Sequence, residues 1–123
     1  MIVKRDFIYT PKGKNRPLHI YLPEDYDISG ESYPVMYFFD GHNLFFDEDA
    51  TYGKCWGLKE FLDHWDQKII LVGIECGHEG NERLVEYLPS KSTLPPLLFK
   101  TPMGCQTMDW IVEEIKPMID REY

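Results

Sequence analysis

The chain has 123 residues and a net charge of −8, with 13 lysines and arginines against 21 aspartates and glutamates. This acidic balance excludes a nucleic-acid partner held by charge, because basic side chains are needed to neutralise phosphates. Hydrophobic residues make up 43% and aromatic residues 15% of the chain, which predicts a folded globule and excludes a disordered one. The length predicts a single domain over residues 1–123.

The sequence also bears on membrane insertion and on the state of the cysteines. No apolar stretch approaches the roughly 20 residues that span a membrane, and the first residues lack the apolar core of a signal peptide. Cys55, Cys76 and Cys105 cannot all pair within one chain, and none stands in a Cys-x-x-Cys motif. We therefore expect a cytoplasmic protein with free thiols and no membrane partner.

The chain opens with two strand-like runs, residues 2–9 and 18–22, which flank a segment rich in turn residues. This order predicts a β-hairpin. Because side chains alternate along a strand, Leu18 and Ile20 share one face and His19 points to the other. We expect His19 to lie on the strand surface.

A central strand is predicted at Val35–Phe39, a continuous apolar run that Pro34 introduces. A run without alternation predicts a strand that is buried on both faces, as in a parallel sheet covered by helices. Residues 40–43, which follow it, are polar or flexible. Ligands bind beyond the carboxyl ends of strands in open α/β sheets, so this segment is either a functional loop or an ordinary turn.

A βαβ unit is predicted next. Residues 69–74 form a second continuous apolar run, and a stripe with helical spacing precedes it. The stripe consists of Leu58, Phe61, Leu62 and Trp65. Strand, helix and strand in this order predict a parallel pair. We expect His64 to face solvent, and Trp56 and Trp65 to lie in the core or on the helix face.

The remainder of the chain predicts a long loop and a last helix. Residues 88–102 carry four prolines, which is typical of a long loop. Thr107 is the predicted helix cap, and Pro117 should kink or loosen the final turns. The predicted apolar stripe consists of Met108, Ile111, Val112, Ile115, Met118 and Ile119. A crossover helix is normally followed by another parallel strand, so we expect the α/β fold to be incomplete at Tyr123.

Five segments, in chain order, carry a resemblance to a known family. They are residues 18–26 (LHIYLPEDY), 33–37 with 40–45 (YPVMY, DGHNLF), 56–57 (WG), 72–74 (VGI) with Arg83, Glu86, Tyr87 and Pro89, and 114–120 (EIKPMID). With these segments the whole chain resembles the amino-terminal half of the Putative esterase family of α/β-hydrolases. That family includes esterase D-like enzymes, enterochelin esterases, feruloyl esterases and mycolyltransferases. The resemblance implies a partial α/β-hydrolase fold, made of an N-terminal hairpin, a βαβ unit and a crossover helix, and truncated before the nucleophile strand.

The same resemblance implies a function. The family continues with a G-x-S-x-G elbow and then the catalytic Asp and His, none of which is present here. None of the four serines, Ser29, Ser32, Ser90 and Ser92, stands in that motif. We therefore expect the amino-terminal portion of a serine carboxyl-ester hydrolase, without metal or cofactor. Its partners would be a small-molecule ester, the missing C-terminal part of the hydrolase domain, and further copies of the chain. The alternative is a non-catalytic binding or interaction module.

The resemblance also assigns a site. In α/β-hydrolases one oxyanion donor comes from the loop after the third strand, which corresponds here to Gly41, His42 and Asn43. Either the N–H of His42 or that of Asn43 is the expected donor. Gly41 would let the backbone approach a substrate closely, so we expect Gly41→Val to lower kcat far more than stability.

Other polar residues give weaker candidates. His42 and His78 both follow predicted strand ends, but no serine or cysteine is placed to serve either as a nucleophile. Cys76 and His78 are expected to point to opposite faces, which disfavours a Cys–His pair. A metal set of His42, Asp47 and Glu48 matches no known ligand spacing. Glu82, Arg83 and Glu86 are expected to hold their loop through ion pairing.

Overall fold

The computed structural model of the protein describes residues 1–88 and 102–123. In these ranges the strands are Ile2–Arg5 (β1), Ile8–Tyr9 (β2), Lys14–Asn15 (β3), Leu18–Tyr21 (β4), Val35–Phe39 (β5) and Ile70–Ile74 (β6). The α-helices are Tyr26–Ser29 (α1), Leu58–His64 (α2), Glu82–Tyr87 (α3), Gly104–Trp110 (α4) and Lys116–Glu122 (α5). Short 3₁₀ turns cover Gly41–Asn43 and Asp47–Asp49, and a π-helical segment covers Ile111–Ile115. The predicted proline-rich loop lies almost entirely outside the described residues.

The described chain divides into two compact units. The first unit consists of Met1–Phe7 and Asn15–Glu75, and the second consists of Ile8–Lys14 and Cys76–Tyr123. In neither described range is any helix both long enough and apolar enough to cross a lipid bilayer.

The first unit is built on a four-stranded sheet with the order β1-β4-β6-β5. β1 pairs antiparallel with β4, and Ile2 lies opposite Tyr21, which confirms the predicted pairing of the first two runs. The first run is interrupted, because β1 ends at Arg5 and β2 pairs with β3 in a separate two-stranded sheet. β4 and β6 are antiparallel, whereas β5 and β6 are parallel, with Val35 opposite Ile70. The predicted βαβ unit is thus confirmed, with α2 as its crossover helix.

β4 is an interior strand, and all four of its residues are buried. His19 is 3% exposed, so the expectation of a surface histidine is wrong. Alternation tells which residues share a face, but it does not tell whether that face is covered, and here both faces are. A buried polar side chain needs a partner, and His19 Nε2 lies 2.6 Å from Glu75 Oε2.

β5 is less buried than its sequence predicts. Met36 is 45% and Phe39 is 46% exposed, and none of the five residues is fully buried. The expectation of a strand buried on both faces is therefore wrong for the described chain. The reason is its position: among the described strands, β5 pairs with β6 alone, so it forms an edge of the sheet.

α2 confirms the helix predicted from spacing, but its apolar stripe is only partly buried. Leu62 is 7% exposed, whereas Phe61 is 56% and Trp65 is 39% exposed. The two exposed rings pack on each other, with centroids 5.6 Å apart. Trp56 is also exposed and precedes the helix, so its expected place in the core or on the helix face is wrong, while His64 is exposed as predicted. The core beneath α2 consists of Tyr21, Leu44, Phe45, Leu62, Ile69 and Leu71.

The second unit is organised around one aromatic pair. Tyr9 and Trp110 make a T-shaped contact with ring centroids 4.8 Å apart, and Trp110 Nε1 donates to the carbonyl of Ile8 at 2.9 Å. The hydroxyl of Tyr9 lies 2.7 Å from Thr107 Oγ1. Thr107 is therefore a buried residue within α4 and not the predicted helix cap, because α4 already begins at Gly104.

The last helical stretch widens in its middle. The π-helical segment Ile111–Ile115 ends two residues before Pro117, which stands in the first turn of α5. Proline has no N–H, and its ring clashes with the carbonyl four residues earlier, so a wider turn relieves the conflict. The helix is distorted next to Pro117 as predicted, but the wider turn precedes the proline and the final turns of α5 are regular. Met108 and Val112 are about half exposed, and the buried members of the predicted stripe are Ile111, Ile115, Met118 and Ile119.

Candidate functional site

The polar segment after β5 forms a tight turn. Asp40 has φ 55° and ψ 47°, a left-handed conformation that aspartate adopts more readily than most residues. In the following 3₁₀ turn the N–H of Asn43 donates to the carbonyl of Asp40 at 2.9 Å, and the N–H of Leu44 donates to that of Gly41 at 3.3 Å. The turn is compact and lies at the carboxyl end of β5, where α/β folds place their ligands.

Gly41 fixes this turn against the neighbouring strand. A Cβ on Gly41 would lie 2.3 Å from the carbonyl carbon of Gly73, 2.5 Å from its oxygen and 2.7 Å from the nitrogen of Ile74. The position at which any other residue would carry its Cβ therefore faces β6. The predicted reason for this glycine, close approach to a substrate, is wrong, because the space is needed for contact between two backbone segments.

The side chains of the turn hold the loop that follows it. His42 Nε2 lies 3.0 Å from Thr51 Oγ1, and Asn43 Oδ1 accepts the N–H of Thr51 at 2.9 Å. The carbonyl of Asn43 accepts the N–H of Trp56 at 2.8 Å. His42 is 6% exposed, so it is buried within this turn. The backbone of the turn, rather than its side chains, is what this arrangement can offer to a ligand.

Residues 47–58 fold back onto the turn and are held there by hydrogen bonds. Asp47 Oδ1 accepts the N–H of Cys55 at 2.8 Å, and the N–H of Leu58 donates to the carbonyl of Leu44 at 3.0 Å. Hydrogen bonds from Cys55, chiefly its backbone N–H, hold the pKa of Asp47 below its usual range. The turn is thus braced at several points, which favours a fixed backbone geometry.

The second polar segment follows β6 and is held by carboxylates of α3 within the second unit. Glu86 Oε1 accepts the N–H of Gly77 at 3.0 Å, and Glu82 Oε1 accepts the N–H of Glu79 at 3.0 Å. Glu86 is completely buried, and its Oε2 lies 4.0 Å from Lys12 Nζ. The glutamates of α3 hold their loop by accepting backbone N–H groups. The expected ion pairing of Arg83 with these glutamates stays a prediction.

Cys76 and His78 come closer together than the sequence predicts. Cys76 Sγ and a ring nitrogen of His78 lie within 4.8 Å of each other. The expectation that the two side chains point apart is therefore wrong. Cys76 is 3% exposed, however, and buried thiols of this kind are inert.

The described serines do not have the geometry of a nucleophile elbow. Ser29 ends α1, and its Oγ lies 2.5 Å from the hydroxyl of Tyr33. Ser32 is exposed in the segment before β5. Neither stands at a turn that leads from a strand into a helix, which an elbow requires. Ser90 and Ser92 lie outside the described residues.

Sequence reasoning missed one polar cluster. Arg16 and His19 are each 3% exposed, and both contact Glu75 directly after β6. The available signal was the position of these three residues at the ends of buried strands, where a charged group must either reach solvent or find a partner.

The fold and the turn together define a class of protein, an α/β protein with part of an α/β-hydrolase fold. The BES protein from Bacillus cereus matches with a TM-score of 0.74 at 22% identity, over 99% of this chain and 46% of that chain. An IroE-like serine hydrolase from Shewanella oneidensis matches with a TM-score of 0.71 at 26% identity, over 99% of this chain and 39% of that one. An uncharacterised protein from Capnocytophaga ochracea matches with a TM-score of 0.68 at 14% identity, over 100% and 30%.

Sequence similarity supplies the family. The family model described as Putative esterase matches residues 11–123, and the chain belongs to that family. The chain spans less than half the length of each of these solved structures. No curated protein matches the chain.

Proposed function

We propose that the natural protein containing this chain is a serine carboxyl-ester hydrolase, and that this chain supplies its oxyanion turn. The observation that carries the proposal is the braced turn at Gly41–Asn43, at the carboxyl end of β5 in a member of an esterase family. Backbone N–H groups that are fixed before the reaction stabilise the oxyanion of an acyl-transfer transition state without further reorganisation.

Both expected donors are kept in the proposal. The N–H of Asn43 donates to the carbonyl of Asp40 at 2.9 Å, inside the turn. We propose that the oxyanion contact is made by the backbone N–H of either His42 or Asn43. The imidazole of His42 has a different role, because its Nε2 lies 3.0 Å from Thr51 Oγ1 and so holds the loop.

The nucleophile is expected outside the described residues. Labelling the natural protein with a fluorophosphonate and sequencing the modified peptide would locate it. We expect one labelled serine, which is neither Ser29 nor Ser32, together with hydrolysis of p-nitrophenyl acetate. A protein that is neither labelled nor active on esters of several chain lengths would contradict the proposal and favour a binding module.

A single variant tests the turn separately. Thr51→Val removes the hydroxyl at the His42 ring but keeps the backbone N–H groups, so we expect kcat to change less than about tenfold. Loss of one oxyanion donor costs roughly 10²–10³ in kcat. A loss of that size in a folded Thr51→Val variant would show that the imidazole, rather than the backbone, acts in catalysis.

A further inference from the structure

Through three separate groups, Glu75 joins the end of β6 to β4 and to the two residues that precede it. Its N–H donates to the carbonyl of Pro17 at 3.3 Å, and its own carbonyl accepts Arg16 Nη1 at 3.3 Å. Its carboxylate Oε2 lies 2.6 Å from His19 Nε2, and the side chains of His19 and Glu75 are 3% and 13% exposed. A carboxylate has no hydrogen to give, so the imidazole N–H donates. Glu75, Arg16, Pro17 and His19 are called the Glu75 clamp below.

The clamp lies two residues from the point where the candidate turn rests on β6. A Cβ on Gly73 would lie 2.9 Å from the Cα of Gly41 and 3.3 Å from the carbonyl oxygen of His19. In the sheet, Gly73 is paired with His19 on one side and with Phe38 on the other. Gly73 therefore lies against both Gly41 of the turn and His19 of β4. A displacement at the end of β6 would accordingly displace Gly41.

We propose that Glu75 is a positioning residue for the oxyanion turn, acting through β6. The inference rests on the proposed function, since it concerns the same turn. Without the carboxylate, the buried N–H of His19 loses its acceptor, and the end of β6 must move to satisfy it or admit water. A misplacement of about 1 Å in a reacting group can lower the rate about 10²-fold.

The kinetic test uses Glu75→Leu and His19→Phe in the natural protein, at a temperature well below the melting point of each variant. Leucine has no acceptor for the imidazole N–H, and phenylalanine has no N–H for the carboxylate. We expect kcat for p-nitrophenyl acetate to fall about 10- to 100-fold with KM within about twofold, because oxyanion contacts act in the transition state. Glu31→Leu is the matched control, since Glu31 is exposed in the same unit, and it should stay within about twofold. A purely structural role would lower the melting point and leave kcat of the folded variant unchanged.

A structural readout distinguishes this inference from the proposed function. The N–H groups of Asn43 and Leu44 donate inside the turn, so their hydrogen exchange reports its geometry. We expect exchange at both to quicken at least about tenfold in Glu75→Leu and not in Glu31→Leu. If the natural protein hydrolyses no ester, the proposed function fails, and the exchange experiment still decides whether the clamp positions the turn.

The two variants should also be coupled. Because Glu75 and His19 act through one contact, the double variant should lose little more than either single one. Unchanged exchange at Asn43 and Leu44 would overturn the inference, whether or not kcat falls, since the turn would not have moved. If Glu75→Leu does not fold, His19→Phe carries the same test, because phenylalanine keeps a ring at this position but has no N–H for the carboxylate.

Discussion

The contact between Gly41 and Gly73 makes a specific prediction about stability. In Gly41→Ala the new Cβ would meet three backbone atoms of β6 at 2.3, 2.5 and 2.7 Å, where about 3.5–4.0 Å is the favourable separation of carbon atoms. The obstacle cannot rotate away, because β6 is hydrogen-bonded to β4 on one side and to β5 on the other. Either the turn or the strand must move by about 1 Å.

Overpacking of a tight site costs about 1–3 kcal/mol and occasionally more. Because only backbone can yield here, we expect at least about 3 kcal/mol for Gly41→Ala and more for Gly41→Val. With a urea slope of about 1–3 kcal/mol per molar, the unfolding midpoint should fall by roughly 1–3 M. The expectation that Gly41→Val lowers kcat far more than stability is thereby replaced, since loss of folded protein comes first. The assay is urea unfolding of the natural protein, followed by circular dichroism.

Gly30→Ala is the matched control. Gly30 has φ 63° and no atom within 4 Å of its Cβ position, so its substitution adds left-handed strain without a clash. That strain costs roughly 1–2 kcal/mol. The reasoning would be refuted if Gly41→Ala were no more destabilising than Gly30→Ala.

Three further predictions concern pH and the isolated polypeptide. Although desolvation opposes it, the N–H of Glu79 and ion pairs with Lys12 and Lys14 lower the pKa of Glu82 from 4.5 to about 2. Glu82 contributes its full share of stability above the pKa of the unfolded state, and that share is lost as pH falls from about 4.5 to about 2. In Glu82→Gln the free energy of unfolding should therefore depend less on pH in that window. The 123-residue polypeptide alone should either associate through the exposed edge of β5 or be partly unfolded. A monomer with a concentration-independent melting transition would contradict this. It should also show no burst with p-nitrophenyl acetate; a burst traced to one of its residues would contradict the expected absence of the nucleophile.

The arrangement of the first unit follows from local pattern. Two uninterrupted apolar runs on either side of a helical stripe determine a parallel β5–β6 pair, because a chain that must cross over returns in the same direction. The polar residues after Phe39 determine that the turn lies at the carboxyl edge. Pro117 likewise determines where the last helical stretch is loosened, since its missing N–H is a property of the residue itself.

Burial was decided by the tertiary structure. The alternation around His19 says which face of β4 it occupies, but it does not say that this face is covered in the folded protein. β5 is as apolar as β6, yet Met36 and Phe39 are half exposed because β5 lies at the edge of the described sheet. Apolar composition indicates which residues tend to be buried, whereas the residues that cover them come from distant parts of the chain.

The sequence also could not show why residue 41 is a glycine. Glycine after a strand is compatible with a turn, with close approach to a ligand and with close packing, and the residue type does not distinguish between them. Only the approach of Gly73, 32 residues along the chain, shows that the space is filled by backbone. The same holds for Glu75 and His19, which meet at 2.6 Å across two strands. The sequence by itself determined which elements form and in what order, while contacts between residues distant in the chain decided what each polar residue and glycine does, because only folding brings their partners within reach.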